Sequence, residues 1–326
     1  EPKTSVVLAR DMAERVEGLI STVAPQLKDK GVSKRIRSLE KKYGFLDWRV
    51  SLKIAEEVAK EKFCKFKDKI TAMEIGIRTG FAYLTLGTVA SPLEGFVELK
   101  IKKRKDGKEY VCPLYSGPIR SAGGTGASVS VIIVDYVRIR MGYSPYDPTE
   151  KEIKRYSTEL YDYHERITNL QYLPSVQEIE FMAKNLPVQV GGDRSEKKEV
   201  SNYKDLERVE TNVIRNGVCL TLGEGLCQKA KKLWKRLSKW GHDFDLNHWD
   251  FLEEFLDLQK KVRAESSSNK GNKKQDVKVS PNYTYIKDLV AGRPVLTHPL
   301  AAGGFRLRYG RARTSGYSAS CIHPAT

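Results

Sequence analysis

Residues 127–141, Ala-Ser-Val-Ser-Val-Ile-Ile-Val-Asp-Tyr-Val-Arg-Ile-Arg-Met, are apolar on most faces. Such a segment has to be covered on every side, so the rest of the chain must be arranged around it. The Val and Ile content allows a buried strand. The length favours a buried helix, with Arg138 and Arg140 near its C-terminal end.

Immediately before it stands Gly117-Pro118-Ile119-Arg120-Ser121-Ala122-Gly123-Gly124-Thr125-Gly126. Its four glycines allow sharp turns and close backbone approach. Arg120 adds a fixed positive fork, and Ser121 and Thr125 add hydroxyls. Ahead of a helix, this loop would present free N–H groups and the positive end of a dipole. Arg120, Ser121, Gly123, Gly124 and Thr125 are therefore candidate phosphate-binding residues. No G-K-[ST] follows, so the loop is not a Walker motif.

The flanking sequence divides by period. Residues 1–90 read as helical. Val32, Ile36, Leu39 and Tyr43 recur at helical spacing, and Gly44 can end that helix. Val50, Ile54 and Val58 open another helix. A third apolar segment, 70–87, carries Gly76 and Gly80 four apart, spaced for close helix packing. Residues 91–262 read as a mixed α/β domain. A hairpin is expected over 95–115, turning at Asp106-Gly107 behind the basic tip Lys102-Lys103-Arg104-Lys105. Asp147-Pro148-Thr149-Glu150 reads as a helix start with Asp147 as the cap, and Ser175 to Glu178 repeats the capping-box spacing. Val188–Val190 is a strand candidate closed by Gly191-Gly192, and Gly223-Glu224-Gly225 a helix entry or kink. Residues 263–281 are polar and without periodicity, and read as a flexible linker.

The formal net charge is +16, from 57 Lys and Arg against 41 Asp and Glu. That surplus points to a polyanionic partner, although a charge-rich surface of thermophilic type has the same composition. Two stretches concentrate it. Residues 226–240 hold six basic residues and no acid. Leu226, Ala230, Leu233 and Leu237 form an apolar stripe there, leaving Lys229, Lys232, Lys235 and Arg236 as a secondary basic surface. The segment 282–326 has no acidic residue after Asp288. Its alternation places Arg306 and Arg308 on one strand face, with Arg311 and Arg313 beyond the turn at Gly310. Those four arginines are candidate nucleic-acid contacts.

Other constellations are weaker. Asp243-Phe244-Asp245, near His242, His248 and Asp250, looks like a metal-binding pair, but reads better as acidic residues crowding a helix N-terminus. His164 reads as a packed or hydrogen-bonded histidine. The five cysteines are odd in number and lack C-x-x-C spacing, against a disulfide framework or zinc knuckle and in keeping with a reducing cytoplasm. No apolar run reaches bilayer length and no signal peptide is visible. The start at Glu1 and the stop at Thr326 read as those of a fragment. The residues alone thus give phosphate-binding parts, no catalytic centre and no metal site.

Several segments together resemble the large subunit of the archaeal family D DNA polymerase. They are Pro92-Leu93-Glu94-Gly95, Gly117 to Thr125, Asp135-Tyr136-Val137-Arg138, Leu170-Gln171-Tyr172 with Pro174-Ser175, Val209-Glu210-Thr211-Asn212, Gln228 to Leu233, Gly292-Arg293-Pro294, and Gly303-Gly304-Phe305-Arg306-Leu307-Arg308-Tyr309-Gly310-Arg311. The resemblance implies the N-terminal part of a much longer DNA-directed DNA polymerase, inactive as a fragment. It implies an α+β, multi-domain fold: a helical accessory region, a mixed domain, a linker, and over 282–326 the opening of a core of double-psi β-barrels. It implies Mg²⁺-binding aspartates and zinc cysteines further downstream, with no metal on this chain. The implied partners are primer-template DNA and a small subunit with the proofreading 3′–5′ exonuclease, with the sliding clamp as a further candidate; no membrane is involved. A non-catalytic scaffold of a replication complex and a stand-alone nucleotide-binding enzyme are the competing readings.

Overall fold

The computed structural model describes residues 9–85 and 88–271, with side chains as far as Ala264. The chain divides into two compact units after residue 263, and of the second the described part is the end of one helix.

The first unit opens with four helices: α1 (Met12–Ser21), α2 (Val32–Tyr43), α3 (Trp48–Ala59) and α4 (Lys69–Leu84). Short polar side chains start three of them. The carboxylates of Asp11, Asp47 and Asp68 accept N–H bonds from Glu14, Arg49 and Thr71, the orphan donors of a first turn. Gly44 ends α2 at φ +103°, where an L side chain would be strained. Val16, Ile20, Ile36, Leu39, Ile54 and Val58 bury together as the bundle's own core.

α3 and α4 approach closely because α4 carries glycines on that face. A Cβ on Gly76 would stand 2.5 Å from the Ala55 carbonyl oxygen, and one on Gly80 2.7 Å from that of Ser51. Ser51 Oγ donates to the Gly80 carbonyl at 2.7 Å, which closes the seam.

The chain then changes period as expected. β1 (Phe96–Lys103) and β2 (Glu109–Tyr115) pair antiparallel around a turn in which Gly107 takes φ +81°. A two-residue strand, β3 (Gly191–Gly192), runs parallel to β2 and completes a mixed sheet of order β1-β2-β3. The ladder thus lies at the glycines rather than at Val188–Val190. Val188 and Val190 are instead fully buried in the core, which uses their side chains for packing.

α5 (Gly123–Arg140) is the central helix, buried without interruption from Ala127 to Arg138. α3 and α4 cover it on one flank. On another lie a π-helical stretch, Leu220–Cys227, and α9 (Gln228–Trp240). Between come α6 (Glu150–Arg166), α7 (Val176–Asn185) and the single turn α8 (Asn216–Cys219). α6 is capped by Thr149, not by Asp147. Thr149 and Glu152 form a reciprocal capping box, while Asp147 is held by Arg208. The Ser175–Glu178 box on α7 is as expected.

The main core joins both sides of residue 90: Leu52, Met73 and Phe81 lie in one cluster with Tyr115, Ile133, Leu226 and Phe255. α10 (Phe251–Gly271) continues into the polar stretch from 263, so the start of the segment read as a linker is helical. The fold is helix-rich α+β. The segment expected to open a double-psi barrel lies outside the described residues.

Candidate nucleic-acid interface

The glycine-rich loop folds as a 3₁₀ segment, Gly117–Ala122, leading directly into α5. No side chain caps this helix start. Gly123 sits at φ +67°, in the left-handed region. Gly124 is required by a protein neighbour: its missing Cβ would lie 2.1 Å from the Glu224 carbonyl oxygen and 2.9 Å from Lys229 Cε. Ser121 Oγ donates to the Pro118 carbonyl at 2.8 Å and also meets Ser91 Oγ. The Arg120 guanidinium donates to Glu224 Oε1 at 3.2 Å, and the Gln171 N–H reaches the same oxygen at 2.8 Å. Arg120 remains 38% exposed.

Glu224 belongs to the π-helical stretch that feeds α9. The loop and the basic helix, about a hundred residues apart in sequence, are therefore neighbours. Lys232 Nζ donates to Thr125 Oγ1 at 3.3 Å. A cleft of about 360 Å³ lies between them, lined by Arg120, Gly123, Gly124, Glu224, Gln228 and Lys229.

α9 buries Ala230, Leu233, Leu237 and Trp240, the expected stripe, and exposes Lys231, Lys232, Lys235, Arg236 and Lys239. None of these five, nor Lys229, forms an ion pair among the described residues. Arg236 lies over the Trp48 ring, 5.8 Å from its centre. Several other surface cations pair with acids: Arg37 bonds Asp11 and Glu14, and Lys100 bonds Glu210. A row of uncompensated cations on one helix raises the local potential and attracts polyanions.

Asp245, His242, Asp250 and His248 are engaged by other side chains. Asp245 pairs with Arg140 at 2.9 Å and His242 with Asp250 at 2.9 Å. His248 Nε2 lies 2.6 Å from Asp135, which also accepts from Trp249 Nε1 at 2.8 Å and Arg138 Nε at 2.8 Å. Burial pushes the Asp135 carboxyl up, but its bond to His248 and the charge of Arg138 outweigh this and hold it below the usual range. His164 accepts the Leu170 N–H at 3.0 Å, a hydrogen-bonded role as expected. No group of three or more His, Cys, Asp or Glu among the described residues is placed to hold a metal ion. No helix among them is long and apolar enough to cross a membrane.

Other polar centres have no local signature in the sequence. Glu159, fully buried, is gripped by Arg215 Nε at 3.0 Å and Nη2 at 2.7 Å, and by Arg155 Nε at 3.3 Å. Glu224 was legible only as part of a turn. Arg306, Arg308, Arg311 and Arg313 lie outside the described residues.

The architecture defines a helix-rich α+β domain with one unpaired basic helix seated beside a glycine-lined helix start. Residues 1–258 match the family "DNA polymerase II large subunit DP2, N-terminal", and residues 272–326 match "DNA polymerase II large subunit DP2, central domain". The chain belongs to the DNA polymerase II large-subunit family, the family that its Gly117–Thr125 and Gly303–Arg311 motifs resemble. It is 46% identical over 349 aligned positions to the DNA polymerase II large subunit of Nanoarchaeum equitans, covering 100% of this chain and 28% of that protein. It is 41% identical to that of Methanosarcina barkeri, covering 100% of this chain and 27% of the relative. For the subunit of Thermoplasma volcanium the identity is 45%, over 99% of this chain and 27% of the relative. The chain thus spans little more than a quarter of the length of these relatives.

Proposed function

We propose that this chain is the N-terminal part of the large subunit of a replicative, template-directed DNA polymerase, and that it contributes nucleic-acid binding and assembly. The exposed face of α9, continued by the start of α5, is the surface that meets the phosphate backbone. The unpaired lysine row carries this reading. Six cations in thirteen residues without an acid partner are a footprint for several phosphates. Nucleotidyl transfer with Mg²⁺ then belongs to aspartates outside this chain, and the 3′–5′ exonuclease to a separate small subunit. Arg306, Arg308, Arg311 and Arg313 are further candidate nucleic-acid contacts.

A salt titration of the full chain on a fluorescent primer-template tests this. Replacing Lys231, Lys235 and Lys239 by Ala should weaken binding and flatten the salt slope by about one unit per lysine. Unchanged affinity and slope would remove α9 from the DNA path.

The loop itself favours a second reading. Arg120 is braced by Glu224, and Gly124 by that residue's carbonyl, as in an assembly element that fixes α9 against α5. Copurification with the small subunit, with no DNA affinity, would favour assembly as the main task.

A further inference from the structure

We infer that a second cleft, over the three-stranded sheet, binds a phosphomonoester group. The cleft has a volume of about 400 Å³, within the range of small-molecule sites. Lys100 and Lys102, two residues apart on β1, present their amines to the same side. Arg194 enters from the segment after β3, and Arg215 from the segment before α8. Asp193 and Glu210 are the acids of the lining, and Glu98 and Glu159 pair with Lys100 and Arg215 from beside it.

Arg215 makes this more than a charged surface. It is 4% exposed. Its Nε and Nη2 both donate to the fully buried Glu159, which fixes the guanidinium at the wall of the cleft. A guanidinium held in one orientation by a carboxylate is a preorganised donor for a second oxyanion. Arg194 is exposed and forms no ion pair among the described residues. The two lysines already hold an oxyanion: one oxygen of Glu210 bonds Lys100 Nζ, and the other lies 3.8 Å from Lys102 Nζ. A phosphomonoester carries a charge of about −1.5 to −2, and its three terminal oxygens suit several convergent donors. Cys112 and Leu114 of β2 give the cleft an apolar floor for the group that carries the phosphate.

The test is a thermal-shift titration of the full chain with inorganic phosphate, and with a deoxynucleoside 5′-monophosphate, at fixed ionic strength. Four proteins are compared: the unaltered chain, Arg194→Ala with Lys100→Ala, Lys231→Ala with Lys235→Ala on α9, and Arg194→Ala by itself. Saturable stabilisation of the unaltered chain is expected. Its midpoint should shift about tenfold in the first variant, the loss of charged hydrogen bonds, and stay in place in the second. Arg194→Ala alone, at an exposed position, should give a smaller shift in the same direction without affecting folding. Tighter binding of the nucleotide would place the base over Cys112 and Leu114; equal binding would make phosphate itself the ligand. No saturable effect, or one that survives loss of Arg194 and Lys100, overturns the assignment. An effect lost only in the α9 variant also overturns it, and assigns phosphate to the surface proposed above.

Discussion

Lys232 Nζ stands 3.3 Å from Thr125 Oγ1, joining two residues 107 positions apart and bringing the basic helix α9 against the glycine-lined start of α5. The contact is a single neutral–charged hydrogen bond near the surface, so removing it leaves the fold intact. Lys232→Ala should change stability by less than about 0.5 kcal/mol in urea melts. Its DNA affinity should fall at low salt and converge on that of the unaltered chain at high salt. Equal loss of affinity at all salt concentrations would mean that Lys232 acts through structure.

The buried Glu159 is the group on which two arginines depend. Arg155 and Arg215 are 1% and 4% exposed. Burial pushes the Glu159 carboxyl up, but the Arg215 charge and hydrogen bonds hold it below its usual range. Glu159→Gln leaves those guanidinium groups without a compensating charge. A loss of about 3–5 kcal/mol is expected from urea unfolding. A loss under about 1 kcal/mol would show that the carbonyls of Tyr203 and Thr211, which Arg155 also reaches, suffice.

Two glycines on helices should respond with opposite sign to the same change. A Cβ on Gly76 meets the Ala55 carbonyl oxygen at 2.5 Å, a backbone atom that cannot swing away. Gly76→Ala should cost about 1–3 kcal/mol. Gly18, inside α1, has nothing within 4 Å of the added carbon. Gly18→Ala should stabilise by about 0.5–1 kcal/mol, through helix propensity. Melting temperatures that move the same way in both would contradict the close α3–α4 seam.

Acid should loosen the α3–α5 contact through Glu56. Burial raises its carboxyl, but hydrogen bonds from Lys60, Tyr136 and Lys53 prevail and bring it down to about 2 from an ordinary 4.5. The folded value lies below the unfolded one, so the stabilisation is complete above pH 4.5 and is lost as pH falls toward about 2. Glu56→Gln should be less stable than the unaltered chain at neutral pH. The gap should narrow across that window. A gap that stays constant with pH would locate the effect in packing.

Much of the framework was written locally. Gly44, Gly107 and the Ser175–Glu178 box mark ends and turns through the conformation of one residue or a bond across three. Gly76 and Gly80 showed a close helix seam by their spacing. The cap of α6 was displaced from Asp147 to Thr149 because two acceptors compete for that turn, and Arg208, from sixty-one residues away, takes Asp147. The strand expected at Val188–Val190 was displaced because the core claims both valines, leaving the ladder to the glycines that follow.

The sequence by itself determined the family, the covered helix over 127–140, the bundle before it, the hairpin and the basic face of α9. Each is a matter of side chains within a turn or two of one another, where periodicity and capping act. The tertiary structure alone decided that Arg120 meets Glu224 across 104 residues, that Asp135 meets His248 across 113, and that Arg215 meets Glu159 across 56. Charges pair with whatever the packing of buried faces brings near, and a charge can be satisfied by any opposite charge of suitable reach. The sequence therefore shows which residues carry charge, while the burial of α5 among its neighbours selects which of them stay unpaired for a ligand.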